Sequence, residues 1–335
     1  MNLLKERTAI ADTQRSFLRS LLKRPEARIF LVLVLLIAFF AVAAPASFAT
    51  APNIRNIAAD ASVLMILAVG STFIILTSGI DLSINGVLVF SGVISAKTMT
   101  ALGGDTAAIL LGLLAGLVSG CLWGILNGIL VAKARIPALI VTLGTLGMSL
   151  GAALLITGGV DEREIPLDLT LNFGSGRIAG VPWLVVVAAL VALIGGLVLA
   201  TTRFGRYTYA AGSNPEALRR SGVSTSRHLI KVYAIAGTLS GLAGFVSLAR
   251  FATTTLGGHS TDNLQTIAAV VIGGTSLFGG VGTMIGTVIG VFIPAVLQNG
   301  FVVLGLQPFW QQVAVGAVLI GAVYVDQLRR RNRDR

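Results

Sequence analysis

Hydrophobic positions in this chain fall in long unbroken blocks, and the polar residues are gathered into short segments between them. A block of about 20 apolar residues matches a hydrocarbon layer about 30 Å thick. About ten such windows can be drawn: Ile29 to Ala44, Ile57 to Ser78, Val87 to Ala101, Ala107 to Ala132, Ala138 to Thr157, Val181 to Thr201, Leu229 to Ala249, Leu264 to Phe278, Thr283 to Leu304 and Phe309 to Val325. In lipid the backbone must satisfy its own hydrogen bonds, so this pattern predicts an all-α polytopic transmembrane bundle of about ten spans, with eight as the lower bound. The third and eighth windows are short. Interrupted segments are tolerated where neighbouring helices or a cavity cover them, so these two are expected to be re-entrant or discontinuous.

Composition agrees with lipid as the solvent. Hydrophobic residues make up 55% of the chain, charged residues only 12%, and the mean hydropathy is +0.88, whereas soluble domains carry about 25% charge. The net charge is +11, but the bases bracket the apolar windows and form no patch interleaved with aromatics, so they report topology and not a nucleic-acid partner. With ten spans, 20 of the 25 Lys and Arg residues fall on one side. They lie in residues 1–28, at Lys133 and Arg135, between Arg203 and Lys231, and from Arg329 to Arg335. Both termini are therefore expected in the cytoplasm. The other side keeps Arg55, Lys97, Arg163, Arg177 and Arg250, with a mildly acidic loop from Gly159 to Gly180. This divides the chain into a basic arm over 1–28, one transmembrane domain over 29–326 with a cytoplasmic loop over 203–228, and a basic tail over 327–335. The arm is too long for the charged end of a cleaved leader, so the first window reads as a retained anchor. The arm itself reads either as a surface-lying basic amphipathic helix or as a solvated tail.

Glycine is placed with regularity. Gly112, Gly116, Gly120, Gly124 and Gly128 recur every four residues, which bares one helix face for close approach of another backbone. Gly282, Gly286 and Gly290, and Gly237 with Gly241, repeat the device. Cys121 is the single cysteine; it rules out an intrachain disulfide or a cysteine metal cluster and reads as a small core residue.

The longest polar interruption, Arg203 to Lys231, carries a full set of helix signals. Asn214 suits an N-cap, Pro215 the first helical position and Glu216 the first turn; Arg219 and Arg220 suit the last turn, and Gly222 the stop. A helix of about seven residues is unstable alone in water, so its own protein or a partner's cleft must hold it. No GxxxxGK[ST] phosphate loop and no GxSxG elbow are present, and His228 and His259 fall on opposite sides in this topology. No cofactor is expected on this chain. Asp60 and Asp81 are the only acids within reach of the membrane interior, which weakens a proton-driven carrier.

The break TSGIDLSINGVLVFSG places Asp81, Ser83 and Asn85 between Gly79 and Gly86. These groups suit hydrogen bonds to a polyhydroxylated solute, and Asp81 or Ser83 equally suits a cap on the next helix. Asn127, Gln298 and Asn299 are amides inside apolar windows, a costly placement that suits either a path lining or helix-to-helix hydrogen bonds.

The segments GIDLSINGV, GRYTYAAGSNPEALRRSGV and TIAAVVIGGTSLFGGVGTMIGTVIGV together resemble permease subunits of bacterial ATP-binding-cassette importers, in the branch for ribose, xylose, arabinose and galactose. The resemblance runs from about Arg28 to Asp326. It implies a multi-pass subunit of the bacterial cell membrane, paired with a second permease subunit (homodimer or heterodimer). A separate cytoplasmic ATPase would bind the ATP, and an extracytoplasmic sugar-binding protein would deliver the cargo. It also implies that Gly212, Asn214, Pro215, Glu216, Arg219 and Arg220 lie in the segment that meets the ATPase, and that Asp81 and Ser83 belong to the family signature. Asn85-Gly86 departs from the expected glycine-serine. The rivals are a permease of the same plan for nucleosides, branched-chain amino acids or a furanose signal, and a self-sufficient carrier.

Overall fold

The computed structural model describes residues 25–307 and 309–333; the basic arm lies almost wholly outside them. Among the described residues twelve α-helices follow one another: α1 Pro25–Ala43, α2 Ala51–Leu76, α3 Ile84–Ala101, α4 Thr106–Ala132, α5 Ala138–Thr157, α6 Trp183–Thr201, α7 Arg203–Ser213, α8 Pro215–Arg220, α9 Thr225–Phe251, α10 Asp262–Ile272, α11 Met284–Val303 and α12 Phe309–Arg333. A π-turn, Leu169–Gly174, and a two-residue hairpin, Arg177–Ile178 with Val181–Pro182, lie between α5 and α6. The molecule is an all-α polytopic membrane bundle. Among the described residues, eight helices are long and apolar enough to cross a bilayer, while α10 is a shorter apolar helix, as is the apolar part of α12.

The bundle has a centre and a rim. In α2 the apolar window is 94% buried, in α9 72% and in α3 67%, against 22% in α4 and 11% in α1. A helix apolar on all sides is stable only when surrounded, and α2 runs with α6, α7, α9, α10 and α11 packed on it. The rim helices α1, α4, α5 and α6 turn rows of Leu, Ile, Val and Phe outward, as a lipid-facing surface requires.

Helix association in lipid depends on close packing, because the acyl chains are as apolar as leucine. The glycine face of α4 supplies it. A Cβ on Gly124 would stand 2.2 Å from the Tyr233 carbonyl oxygen, and one on Gly120 2.3 Å from that of Gly237. Gly112 meets α3 in the same way, with a Cβ 2.9 Å from the Ser95 carbonyl oxygen, while at Gly116 the Ser91 carbonyl oxygen would be in ordinary contact at 3.4 Å. Gly286 and Gly290 seat α11 on Gly273 and Ala269 at the end of α10. Gly282, expected in the same helical stripe, precedes α11 and lies in the irregular stretch that follows α10.

Two windows need correction. The third is not short: α3 starts at Ile84 and runs 18 residues, because polar Asn85 and Gly86 sit in its first turn and hid its start from a hydrophobic window. The tenth ends beyond Val325, since α12 continues to Arg333. The eighth is broken as expected, with α10 covering 11 residues and non-helical backbone from Gly273 to Thr283.

Candidate functional site

Three polar constellations interrupt the apolar bundle. The first lies at the end of the molecule where α2 finishes. The stretch expected as a loop bearing one short helix holds two helices. Thr202 caps α7 and Asn214 caps α8, with Asn214 Oδ1 accepting the Ala217 N–H at 2.9 Å. Glu216 Oε1 accepts from Arg219 at 2.9 Å and Arg220 at 3.2 Å, and these bonds hold its carboxyl below the usual range. Gly222 takes φ +85° after the helix, the left-handed stop its position predicted. Leu218 is buried and anchors α8 to the protein, while Arg219 and Arg220 side chains are 73% and 80% exposed.

Gly212 is half-buried and bears on the protein itself. A Cβ there would meet the Leu76 carbonyl oxygen at 1.9 Å, so the end of α7 is pressed onto the end of α2. The Gly280 N–H donates to the same Leu76 oxygen at 2.9 Å, and the Ser78 hydroxyl reaches the Phe278 carbonyl at 2.7 Å and that of Gly212 at 3.2 Å. Ser78 pays for this with φ +63°, a left-handed conformation uncommon outside glycine. Three segments thus meet in one clasp: the end of α2, the end of α7 immediately before α8, and the break between α10 and α11.

The second constellation is five residues further along. Asp81 Oδ1 accepts both the N–H and the hydroxyl of Ser83, at 2.7 and 2.6 Å, and Ser83 Oγ accepts from Asn127 Nδ2 of α4 at 2.8 Å. Neither Asp81 nor Ser83 caps α3 by taking the amide of its second or third residue; the carboxylate instead closes a turn on itself and ties it to α4. Asn85 belongs to the same region but points elsewhere. Its Nδ2 donates to the His259 carbonyl at 3.1 Å, and its backbone N–H donates to Asn263 Oδ1. Asn263 closes the loop by donating to the Leu82 carbonyl at 2.5 Å. Gly86 is needed where it stands, since a Cβ would come within 2.4 Å of Ser149 Oγ.

The third constellation is at the opposite end, where α2 begins and α9 finishes. Arg250 pairs with Asp60 at 2.8 Å, and Lys97 pairs with Glu162. His259 Nδ1 lies 2.7 Å from Asp262 Oδ2, and its Nε2 lies 2.8 Å from Ser247 Oγ. This is the order of a hydrolytic relay, but Ser247 is buried and lines neither cavity described below, so its oxygen has no access to a substrate. The relay instead braces the start of α10 against α9. His228 stands apart, bonded to Thr208 between α9 and α7.

Of the intramembrane amides, Asn299 makes a reciprocal pair with Asn53 at 2.8 and 2.9 Å, the helix-to-helix alternative. Gln298 lines a polar cavity of about 330 Å³ with Asp60, His259, Asp262, Gln265 and Gln311. A larger cavity of about 640 Å³, between α2, α6 and α11, is walled almost entirely by Ala, Val, Leu, Ile, Met and Phe and offers little to a hydroxylated solute. The His259–Asp262–Gln311 side of the site was not foreseen, because its members come from α10, α12 and the connection before α10, and only tertiary packing joins them.

Apolar spans around a buried centre, with hydrogen-bonding groups held inside, define a multi-pass membrane protein of the permease type. Residues 53–323 match the family described as "Branched-chain amino acid transport system / permease component", and the chain belongs to that family. It is 36% identical over 312 residues to the ribose import permease protein RbsC of Escherichia coli K12, covering 91% of this chain and 94% of that one. It is also 36% identical over 302 residues to the D-allose transport system permease protein AlsC of the same strain, and 34% identical over 315 to the fructose import permease protein FrcC of Rhizobium meliloti. These cover 89% and 92% of this chain and 90% and 86% of the relatives. No solved structure matches the chain.

Proposed function

We propose that this chain is the membrane permease of a bacterial ATP-binding-cassette importer for a monosaccharide, working in the cell membrane with both termini in the cytoplasm. It would pair with a second permease subunit, take its sugar from an extracytoplasmic binding protein and be driven by a cytoplasmic ATPase on another chain. The relatives for ribose, allose and fructose favour a neutral polyol as cargo.

The observation that carries the coupling half of this reading is the clasp behind α8. The helix offers two exposed arginines to a partner, and its other side is fixed through Leu218 and through α7, whose Gly212 bears on the end of α2. Force on α8 therefore reaches Leu76, Ser78 and the Gly273 to Thr283 break without passing through a flexible linker. The turn with Asp81 follows Ser78 by three residues and is tied to α4 through Asn127. A partner that moves α8 thus acts on the central polar turn, which is what alternating access requires.

The test is to replace Arg219 and Arg220 by Ala and reconstitute the chain with its ATPase and binding protein in liposomes. ATP-driven sugar uptake should fall at least tenfold while membrane insertion and thermal unfolding stay as in the wild type. Undiminished uptake would remove the coupling assignment. Uptake by the wild-type chain alone would favour the self-sufficient carrier.

A further inference from the structure

The 330 Å³ cavity is built like a binding site and not like a packing defect. Its size is at the low end of the roughly 300–1,000 Å³ typical of small-molecule pockets. It collects side chains from α2 (Asp60), α10 (Asp262, Gln265), α11 (Gln298) and α12 (Gln311), with His259 from the connection before α10. Gln311 is only 5% exposed, and its Nε2 has no hydrogen-bond partner among the described residues. A buried amide donor left unpaired is destabilising, so a group that supplies the missing acceptor gains a bond at no cost to an existing one.

The donor set defines what that group is. Asp60 gives one carboxylate oxygen, Oδ1, to Arg250, and Asp262 gives Oδ2 to His259. The second oxygen of each carboxylate remains an acceptor. Gln311 brings a free donor, and Gln298 and Gln265 bring amides with both functions. Acceptors and donors side by side suit a ligand whose groups each donate and accept, which is the property of neighbouring hydroxyls. An anion would face two carboxylates. A simple cation would find the acids already paired, Asp60 with a guanidinium and Asp262 with an imidazole. Phe251 adds an apolar ring at the wall, a surface for the C–H face of a sugar ring.

We propose that this cavity, at the end of the bundle opposite α8, is a polyol subsite of the permease itself: it holds a monosaccharide through Asp60, Asp262, Gln298 and Gln311 after release from the binding protein. The subsite rests on the importer reading above, and it goes beyond it in giving the permease an affinity of its own.

The experiment uses the full chain in lipid nanodiscs without ATPase or binding protein, with saturation-transfer NMR of D-ribose, D-allose and D-fructose, and with leucine as a non-polyol comparison. At least one sugar is expected to show saturable transfer, and leucine none. Gln311→Leu should weaken binding of that sugar at least tenfold while its melting temperature is equal to or above the wild type's, because it removes an unpaired buried donor. Gln298→Leu, at a more exposed wall position, gives the same readout should the first variant fail to fold. Absence of saturable sugar signal in the wild type, binding of leucine in place of sugar, or wild-type affinity in both variants would each overturn the subsite. ATP-driven uptake by the reconstituted importer is read separately. Uptake without direct binding sinks the subsite and leaves the importer reading standing, and direct binding without ATP-driven uptake does the reverse.

Discussion

At the residue scale, two kinds of side chain decide this structure: glycines that have no room for a methyl group, and polar groups that have one committed partner. Gly124→Ala pushes a methyl group to 2.2 Å from the Tyr233 carbonyl oxygen. Backbone cannot rotate away as a side chain can, so α4 and α9 must separate, at a cost of about 1–3 kcal/mol. Gly151→Ala in α5 meets nothing within 4 Å and should be neutral or slightly stabilising, since alanine is the better helix former. Thermal unfolding of both variants in the same detergent checks the contrast, and equal melting temperatures would refute it. The Asp81 turn makes a second case. Ser83→Ala leaves Asn127 Nδ2 buried without its acceptor, at a cost of about 1–3 kcal/mol. Adding Asn127→Leu should recover part of that loss, so the double variant should be more stable than the sum of the singles. Strict additivity would show that the Ser83–Asn127 bond contributes nothing.

At the element scale, α8 shows what a sequence can and cannot disclose. Its cap, its proline, its acid, its arginines and its glycine stop are all local, and each stands where the spacing put it. The same holds for the four-residue glycine period of α4, whose partner had to be another close helix. What was not legible is whatever depends on the third dimension. Gly212 reads as part of a docking segment until the Leu76 carbonyl is found against it, and Asn299 suits a path lining and a helix-to-helix bond equally until Asn53 is found opposite. Asp81 and Ser83 looked like either a cap or a solute contact; the structure shows a turn pinned to α4 through an amide 44 residues away in sequence. The importance of α8 also sets a pH expectation. Glu216 has its carboxyl lowered by bonds from Arg219 and then Arg220, so the contribution of that pairing is complete above the ordinary glutamate value of about 4.3 and is lost as pH falls below it. Binding of the chain to the proposed ATPase should therefore be flat with respect to Glu216 between about pH 5 and 8. Glu216→Gln should remove any acid-side loss that the wild type shows below about pH 4, and a wild-type loss that the variant retains would mean that other groups titrate. Proline at position 216 is a poor way to break this helix, because it falls in the first turn, where no intrahelical donor is lost. Ala217→Pro deletes the N–H that Asn214 caps and is the sharper disruption.

At the scale of the whole molecule, the two ends differ in chemistry, and that difference specifies how it sits in a bilayer. Lys133, Arg135 and the arginines of α7 and α8 gather at the end where α2 and α4 finish. Asp60, Asp105, Asp161, Glu162, Asp168 and Asp262 gather at the other, where Lys97 and Arg250 are engaged in ion pairs with Glu162 and Asp60. If positive charge is retained on the cytoplasmic side, as the proposed function requires, α8 would face the compartment of the proposed ATPase and the polar cavity would open toward the side from which a binding protein would deliver. One measurement decides whether the clasp and the cavity are on the faces that transport needs. With Cys121 replaced by Ala, cysteine is introduced singly as Ser221→Cys, just after α8, and as Asp168→Cys, in the acidic connection. In intact right-side-out cells a membrane-impermeant maleimide should label the second and spare the first, and in inverted vesicles the pattern should reverse. Labelling of Ser221→Cys from outside would invert the molecule, put the cavity in the cytoplasm and remove both the coupling role of α8 and the delivery route in a single result.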